Sequence, residues 1–187
     1  DSTAGLRARA LASGKRAVVL GAGPAGVSAA PCLRRNGVAV TVLGKRQRPM
    51  GVVEYIIPEV RISADAIRRD FAMAEKMGVD FRFGVEAPLD VAALRKEYDF
   101  VLLAVGAWKE GAQAVSDGQE RLLDALDFLE QSKRNLCRVE TGRRVAVVGG
   151  GDAAMDCARP APRAPGVEQA TIVYRRPRAF MPPEPQA

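Results

Sequence analysis

Ala17-Val18-Val19-Leu20-Gly21-Ala22-Gly23-Pro24-Ala25-Gly26 is the stretch that decides the fold. Its four leading apolar residues read as a short buried strand of a parallel sheet, stopped by glycine. Each small residue after them has its own purpose. The first glycine makes a tight strand-to-helix turn, and the second lets the backbone approach a pyrophosphate. Ala25 and Gly26 let the next helix lie close to the sheet, with its N-terminal dipole facing the phosphates. The pattern returns 128 residues later, as Arg144-Val145-Ala146-Val147-Val148 followed by Gly149-Gly150-Gly151-Asp152-Ala153-Ala154. A lone turn of this kind is often only a structural connection. Two of them imply a protein that holds two dinucleotides and passes a hydride between them.

Outward from the first turn, strands and helices alternate. Pro24 to Asn36 reads as a helix stopped by Gly37, and Val38 to Leu43 as the second strand. Ser63 is placed to cap a helix running to Met77, and Val79 to Phe83 follows as a strand. Asp90 caps a short helix to Glu97, and Phe100 to Val105 reads as a buried strand ending at Gly106. A helix is expected from Leu122 to Arg134, with Leu122, Leu126 and Leu129 on one face. After the second turn come a helix and the strand Thr171 to Tyr174. The class is therefore α/β, a Rossmann-like parallel sheet with helices on both faces. The second Rossmann unit is incomplete, since it shows two strands where a mononucleotide-binding half needs about three. The expected division is a lead-in over 1–14, a first dinucleotide region over 15–112, a connecting helix over 113–142 and the second unit over 143–187. The proline-rich tail from Pro177 to Ala187 reads as irregular.

Composition narrows the function classes. At 48% hydrophobic residues the chain can build a core, which excludes wholesale disorder. A net charge of +6 suits anionic ligands, but Lys and Arg are spread along the chain. With aromatics at only 5% and no basic stripe between them, a nucleic-acid platform is disfavoured. Cys32, Cys137 and Cys157 are too few and scattered for an iron–sulfur or zinc site, so no metal is expected. The unpaired cysteines fit a reducing cytosol, and no signal peptide or membrane-length apolar run is seen. A cytoplasmic protein without a membrane partner is expected. There is no histidine, and no residue presents itself as a catalytic acid or base.

Several stretches together resemble one family. They are Gly21 to Gly26, Tyr55-Ile56-Ile57-Pro58-Glu59-Val60-Arg61-Ile62 and Leu103-Ala104-Val105-Gly106-Ala107-Trp108. Further along come Ala125-Leu126-Asp127-Phe128-Leu129, Gly149 to Asp156, and Tyr174-Arg175-Arg176 followed by Met181-Pro182. In order and spacing they resemble the pyridine-nucleotide flavoproteins related to the small subunit of bacterial glutamate synthase. That module is shared with dihydropyrimidine dehydrogenase and selenate-reductase-type subunits. The resemblance implies FAD on the first turn and NADP, as NADPH, on the second. It implies that Gly21, Gly23, Pro24, Ala25 and Gly26 cradle the FAD pyrophosphate, with Lys45 beside them as part of the family pattern. Gly51 and Val52 would match the stretch near the flavin, and Ala104 to Gly106 the strand end that closes the site. Gly149, Gly151, Asp152 and Ala153 would meet the NADPH pyrophosphate. Arg175 and Arg176 would take the 2′-phosphate, a role that a guanidinium fork at a strand end also suits on chemical grounds. The implied partner is a redox subunit or iron–sulfur domain that accepts the electrons.

The departures from the family pattern carry their own expectations. Leu43-Gly44-Lys45 stands where the family has Phe-Glu-Lys, so the carboxylate that anchors the FAD ribose is missing. Its loss should weaken binding by about 1–3 kcal/mol. Pro31 falls inside the first helix at a cost of roughly 3 kcal/mol unless the helix kinks or ends there. Pro160, Pro162 and Pro165 should curtail the helix after the second turn. Asp152 replaces the family's Asn and would repel a pyrophosphate. The family's return to the FAD domain is also missing, which reads as a truncated relative. Two functions stay open: an NADPH-to-FAD electron-transfer module, and a non-catalytic fragment that serves in assembly with weak or no cofactor binding.

Overall fold

A computed structural model describes residues 13–85, 90–108 and 117–181. Most of the lead-in, the boundary placed at 112–113 and the end of the proline-rich tail lie outside the described residues. Contacts divide the chain into two compact units. Unit 1 takes residues 1–54 and 62–107, and unit 2 takes 55–61 and 108–187.

Unit 1 carries a four-stranded sheet of β1 (Arg16–Leu20), β2 (Ala39–Gly44), β3 (Asp80–Phe83) and β4 (Phe100–Leu103). The strand order is β3-β2-β1-β4, and every pairing is parallel. The order runs one way from β1 to β3 and then jumps to the opposite edge for β4. Right-handed crossovers therefore place the β1–β2 and β2–β3 helices on one face and the β3–β4 helix on the other. Those helices are α1 (Pro24–Arg35), α3 (Ala64–Lys76) and α4 (Val91–Glu97), with the single turn α2 (Val52–Tyr55) after β2. The reversal of strand order falls at β1, which puts the first glycine turn at the topological switch point.

The central strand explains the core. Ala17, Val18, Val19 and Leu20 are at most 1% exposed. Of these, Ala17 and Val19 form one cluster with Val40 and Val42 of β2 and Ala30 of α1. A second cluster sets Val27 of α1 against Ile67 and Ala74 of α3, with Met50 beside them. That packing bears on Pro31: α1 continues past it, for twelve residues in all, rather than ending. Ala30 and Val27 just before the proline are buried, so tertiary contact outweighs the local cost. Capping fixes the other helices. The Ser63 hydroxyl accepts from the Ala66 N–H, and the Asp90 carboxylate from those of Ala92 and Ala93.

β4 corrects an expectation. Its apolar run reads as buried, yet Phe100 is 51% and Leu103 62% exposed, because β4 is an edge strand with β1 on one side only. Its start is tied to β1 by Asp99, whose carboxylate accepts from the Arg16 N–H at 2.8 Å and from Lys15 Nζ at 2.9 Å. The Arg16 amide, then Lys15, holds this carboxyl below its usual range. A depressed folded-state value contributes stability above the unfolded value, near pH 4, and that stability is lost as the pH falls through the folded one. Acid unfolding followed by circular dichroism should show this component, and Asp99→Asn should remove it. An unchanged acid limb in the variant would contradict the tie.

Unit 2 has a two-stranded parallel sheet of β5 (Arg144–Val148) and β6 (Gln169–Val173), in register from Arg144 opposite Gln169. Its helices are α5 (Ala125–Asn135) and α6 (Asp152–Ala158). α5 starts three residues later than its leucine spacing predicts. The Asp124 carboxylate accepts from the Leu126 and Asp127 N–H groups and caps the helix there, so Leu122 lies outside it. β6 likewise sits two residues ahead of the expected Thr171 start and ends at Val173. α6 ends before Pro160 and passes into a 3₁₀ turn at Ala161–Arg163, as the prolines demand. Among the described residues no helix is long and apolar enough to cross a membrane.

Candidate functional site

The first turn, within unit 1, is closed on three sides by backbone. Gly21 has φ 116°, and its N–H donates to the Leu43 carbonyl at 2.8 Å. A Cβ on Gly21 would lie 2.1 Å from the Ala104 carbonyl oxygen. The Ala104 N–H in turn donates to Leu20 at 2.8 Å, which seats the end of β4 on the turn. A Cβ on Gly26 would come within 1.9 Å of the Gly21 carbonyl oxygen. Neither position tolerates any side chain, because the obstacles are main-chain atoms that cannot rotate away.

Gly23 is different. A Cβ there would meet nothing within 4 Å. It is the N-cap of α1, with Pro24 in the first turn, no side-chain cap and no acidic residue. The first N–H groups of a helix have no intrahelical partner, and a twelve-residue helix adds a positive dipole end. An open, uncapped helix start is what a diphosphate fits. Met50 and Gly51 form the remaining wall. The Met50 N–H donates to the Ala22 carbonyl at 2.7 Å, and a Cβ on Gly51 would lie 3.0 Å from Gly23 Cα. Met50 takes a left-handed φ of 70°, unusual for a residue with a side chain, and Gly51 follows at 51°. Val52 opens α2 directly after them, and Gly106 (φ 74°) lies two residues beyond Ala104.

β2 ends on Gly44 rather than on a carboxylate. Gly44 is buried, and a Cβ on it would lie 3.0 Å from both Ala22 Cβ and Phe83 Cδ1. It therefore sits beside the turn and brings no side chain to it. Lys45 follows and is exposed.

The second turn, within unit 2, repeats part of this plan. Gly149 has φ 140°, and its N–H donates to Val173 of β6 at 2.9 Å. A Cβ on Gly150 would press into the Tyr174 ring at 2.7 Å, while one on Gly151 would meet nothing within 4 Å. Gly151 is the N-cap of α6 and has no side-chain cap. Arg176 lies over the Tyr174 ring, with Cζ 5.7 Å from its centroid. Tyr174 thus links Gly150 to the Arg175–Arg176 pair, both members of which are exposed.

Arg61 and Asp156 were not singled out in the sequence. Arg61 Nε donates to Asp156 Oδ1 at 2.6 Å, and Asp156 is only 7% exposed. Arg61 Nη2 is buried without an aligned hydrogen bond, 3.5 Å from Asp152 Oδ1, which is ion-pair range. The bond to Asp156 raises the guanidinium further above its ordinary value. Asp152 at the start of α6 is therefore opposed by a cation, which offsets part of its negative charge. The available signal was the four-residue spacing of Asp152 and Asp156, which puts both on one helix face. Cys157 beside them is 5% exposed and packs as a small core residue.

The family model described as pyridine nucleotide-disulphide oxidoreductase matches residues 15–187. The YgfK oxidoreductase of Escherichia coli O157:H7 is 40% identical over 165 residues, covering 88% of this chain and 16% of its own length. The glutamate synthase [NADPH] small chain of Halomonas elongata is 38% identical over 181 residues, covering 90% of this chain and 38% of its own. The structure of Mycobacterium tuberculosis FprA in complex with NADPH is similar in fold, with a TM-score of 0.67 at 23% identity. It covers 87% of this chain and 44% of that one. The chain thus spans less than half the length of each of the three proteins.

Proposed function

The chain belongs to the pyridine nucleotide-disulphide oxidoreductase family, and from that premise we propose that it is the cofactor-binding part of an NADPH-dependent flavoprotein. FAD is held on the first turn by Gly21, Gly23, Pro24, Ala25 and Gly26. Gly51, Val52, Ala104 and Gly106 border the site, and Lys45 lies at its ribose end. NADPH is held on the second turn by Gly149, Gly151, Asp152 and Ala153, with the Arg175–Arg176 fork on the 2′-phosphate. The functional division is a FAD region over 15–112, a connecting helix over 113–142 and an NADPH unit over 143–187. Electrons leave for a partner redox subunit or iron–sulfur domain.

The observation that carries this reading is Gly23: open space above an uncapped twelve-residue helix, beside main chain that packs tightly on Gly21 and Gly26. Bound FAD supplies the hydride acceptor and NADPH the donor, so the chain's task is to bind, orient and balance charge. Gly21 and Gly26 hold the turn tight, and Gly23 leaves room for the diphosphate. Arg61 offsets the charge of Asp152 on the NADPH side.

Gly44 favours the second reading, a non-catalytic assembly piece with weak cofactor binding. The two are separated by a FAD titration that follows quenching of flavin fluorescence. Gly44→Glu should tighten FAD binding about tenfold, on the scale of a charged hydrogen bond. It should also lower stability slightly, because Ala22 and Phe83 must give by a few tenths of an ångström. Saturable binding that tightens in the variant supports the flavoprotein. No binding by either protein favours the assembly piece.

A further inference from the structure

Unit 2 contains a cavity of about 660 Å³ that no residue of either glycine turn lines. This volume falls in the range of small-molecule sites, roughly 300–1,000 Å³. Its apolar walls are Ile56 and Pro58 from the strap 55–61, Leu129 and Leu136 from α5 and the turn after it, and Pro160 beyond α6. The charges at its edge are unequal: Lys133, Arg159 and Arg163 against Glu59 alone. Two of the cationic side chains are fixed by the main chain. Lys133 Nζ donates to the Ile57 carbonyl at 2.7 Å, and Arg163 Nη1 to the Arg159 carbonyl at 2.7 Å. Ser132, between Leu129 and Lys133, also lines the cavity and holds a buried hydroxyl without a hydrogen-bond partner.

We propose that this cavity is a second binding site, for an organic carboxylate with an apolar body. The hydrocarbon part lies against Ile56, Pro58, Leu129 and Leu136, and the carboxylate lies at the Lys133–Arg163 edge. An apolar wall alone would take any greasy molecule. The excess of positive charge beside it selects an anion, because a carboxylate gains charge-assisted hydrogen bonds there that a neutral head cannot make. The site does not depend on the redox reading, since it shares no residue with either cradle.

The test is isothermal titration of the full chain with octanoate, 1-octanol and octyltrimethylammonium. Octanoate should bind saturably at one site per chain, at least tenfold tighter than the other two, and more weakly as salt rises. Arg163→Glu and Val60→Trp should each weaken octanoate tenfold or more. Both positions are exposed, and Val60, 70% exposed at the cavity, would place an indole across it. Val173→Asp, on the exposed apolar face of β6, should change nothing. The proposal is overturned if no octanoate binds, if octanol binds equally well, or if neither cavity variant alters binding. Loss of binding in Val173→Asp would overturn it too, by placing the ligand on the strand face.

Discussion

Replacing Gly26 with alanine is expected to lower the stability of unit 1 by at least about 3 kcal/mol, while the same change at Gly23 leaves stability within about 0.5 kcal/mol and weakens flavin binding tenfold or more. The contrast follows from what each new methyl meets. At Gly26 it would lie 1.9 Å from the Gly21 carbonyl oxygen and 3.2 Å from Val19 Cγ1. α1 would have to lift off the sheet, taking Val27 and Ala30 out of the core. For a unit of about 100 residues the melting temperature should fall by about 12–24 °C. At Gly23 the methyl meets nothing within 4 Å, and φ −78° suits alanine. It projects into the space assigned to the diphosphate, so FAD affinity should fall tenfold or more. Thermal unfolding and FAD titration on the two variants check both halves. Equal stability losses, or unchanged FAD affinity in Gly23→Ala, would reduce the turn to a structural connection.

Arg61→Ala should destabilise unit 2 by about 3 kcal/mol, the lower end of the range for stranding one member of a buried ion pair. The lower end is apt because the Arg61 side chain is 21% exposed. Asp156, with its side chain 10% exposed, would keep its charge in a site that water reaches poorly. Arg61→Ala combined with Asp156→Asn should recover most of the loss, since the uncompensated charge is then gone. Denaturant unfolding can be followed through Trp108, the one tryptophan of the chain, which belongs to unit 2. If the double variant is as unstable as the sum of the two single changes, the pair is not coupled and Arg61 acts through packing alone.

The legible parts of the fold were those whose causes are local. A β-branched run stopped by glycine gives β1 and its turn, and Ser63 and Asp90 announce α3 and α4 by the chemistry of their side chains. Asp124 carries the same chemistry at the start of α5, whereas the leucine spacing from Leu122 points to a start three residues earlier. β4 shows a different limit. Phe100 to Leu103 is apolar enough for a central strand, and its exposure comes from its place at the sheet edge, a property of topology rather than of composition. The cost of Pro31 is local, whereas the packing of Val27 and Ala30 that opposes it lies outside any local window. The glycines of the candidate site were all visible as a motif, yet their unequal tasks were not. Only the clashes at Gly21 and Gly26 and the open space at Gly23 separate structure from binding. The Arg61–Asp156 pair joins residues 95 apart in sequence, and nothing local to either reports the other.

The central claim, that this chain carries flavin and accepts a hydride from NADPH, is tested most directly by the visible absorption spectrum of the FAD-reconstituted protein under anaerobic titration with NADPH. The account predicts a bound flavin spectrum that bleaches on addition of NADPH, and much more slowly with NADH, which lacks the 2′-phosphate proposed to meet Arg175 and Arg176. A colourless protein that cannot be reconstituted with FAD, or a bound flavin that NADPH leaves oxidised, would contradict it.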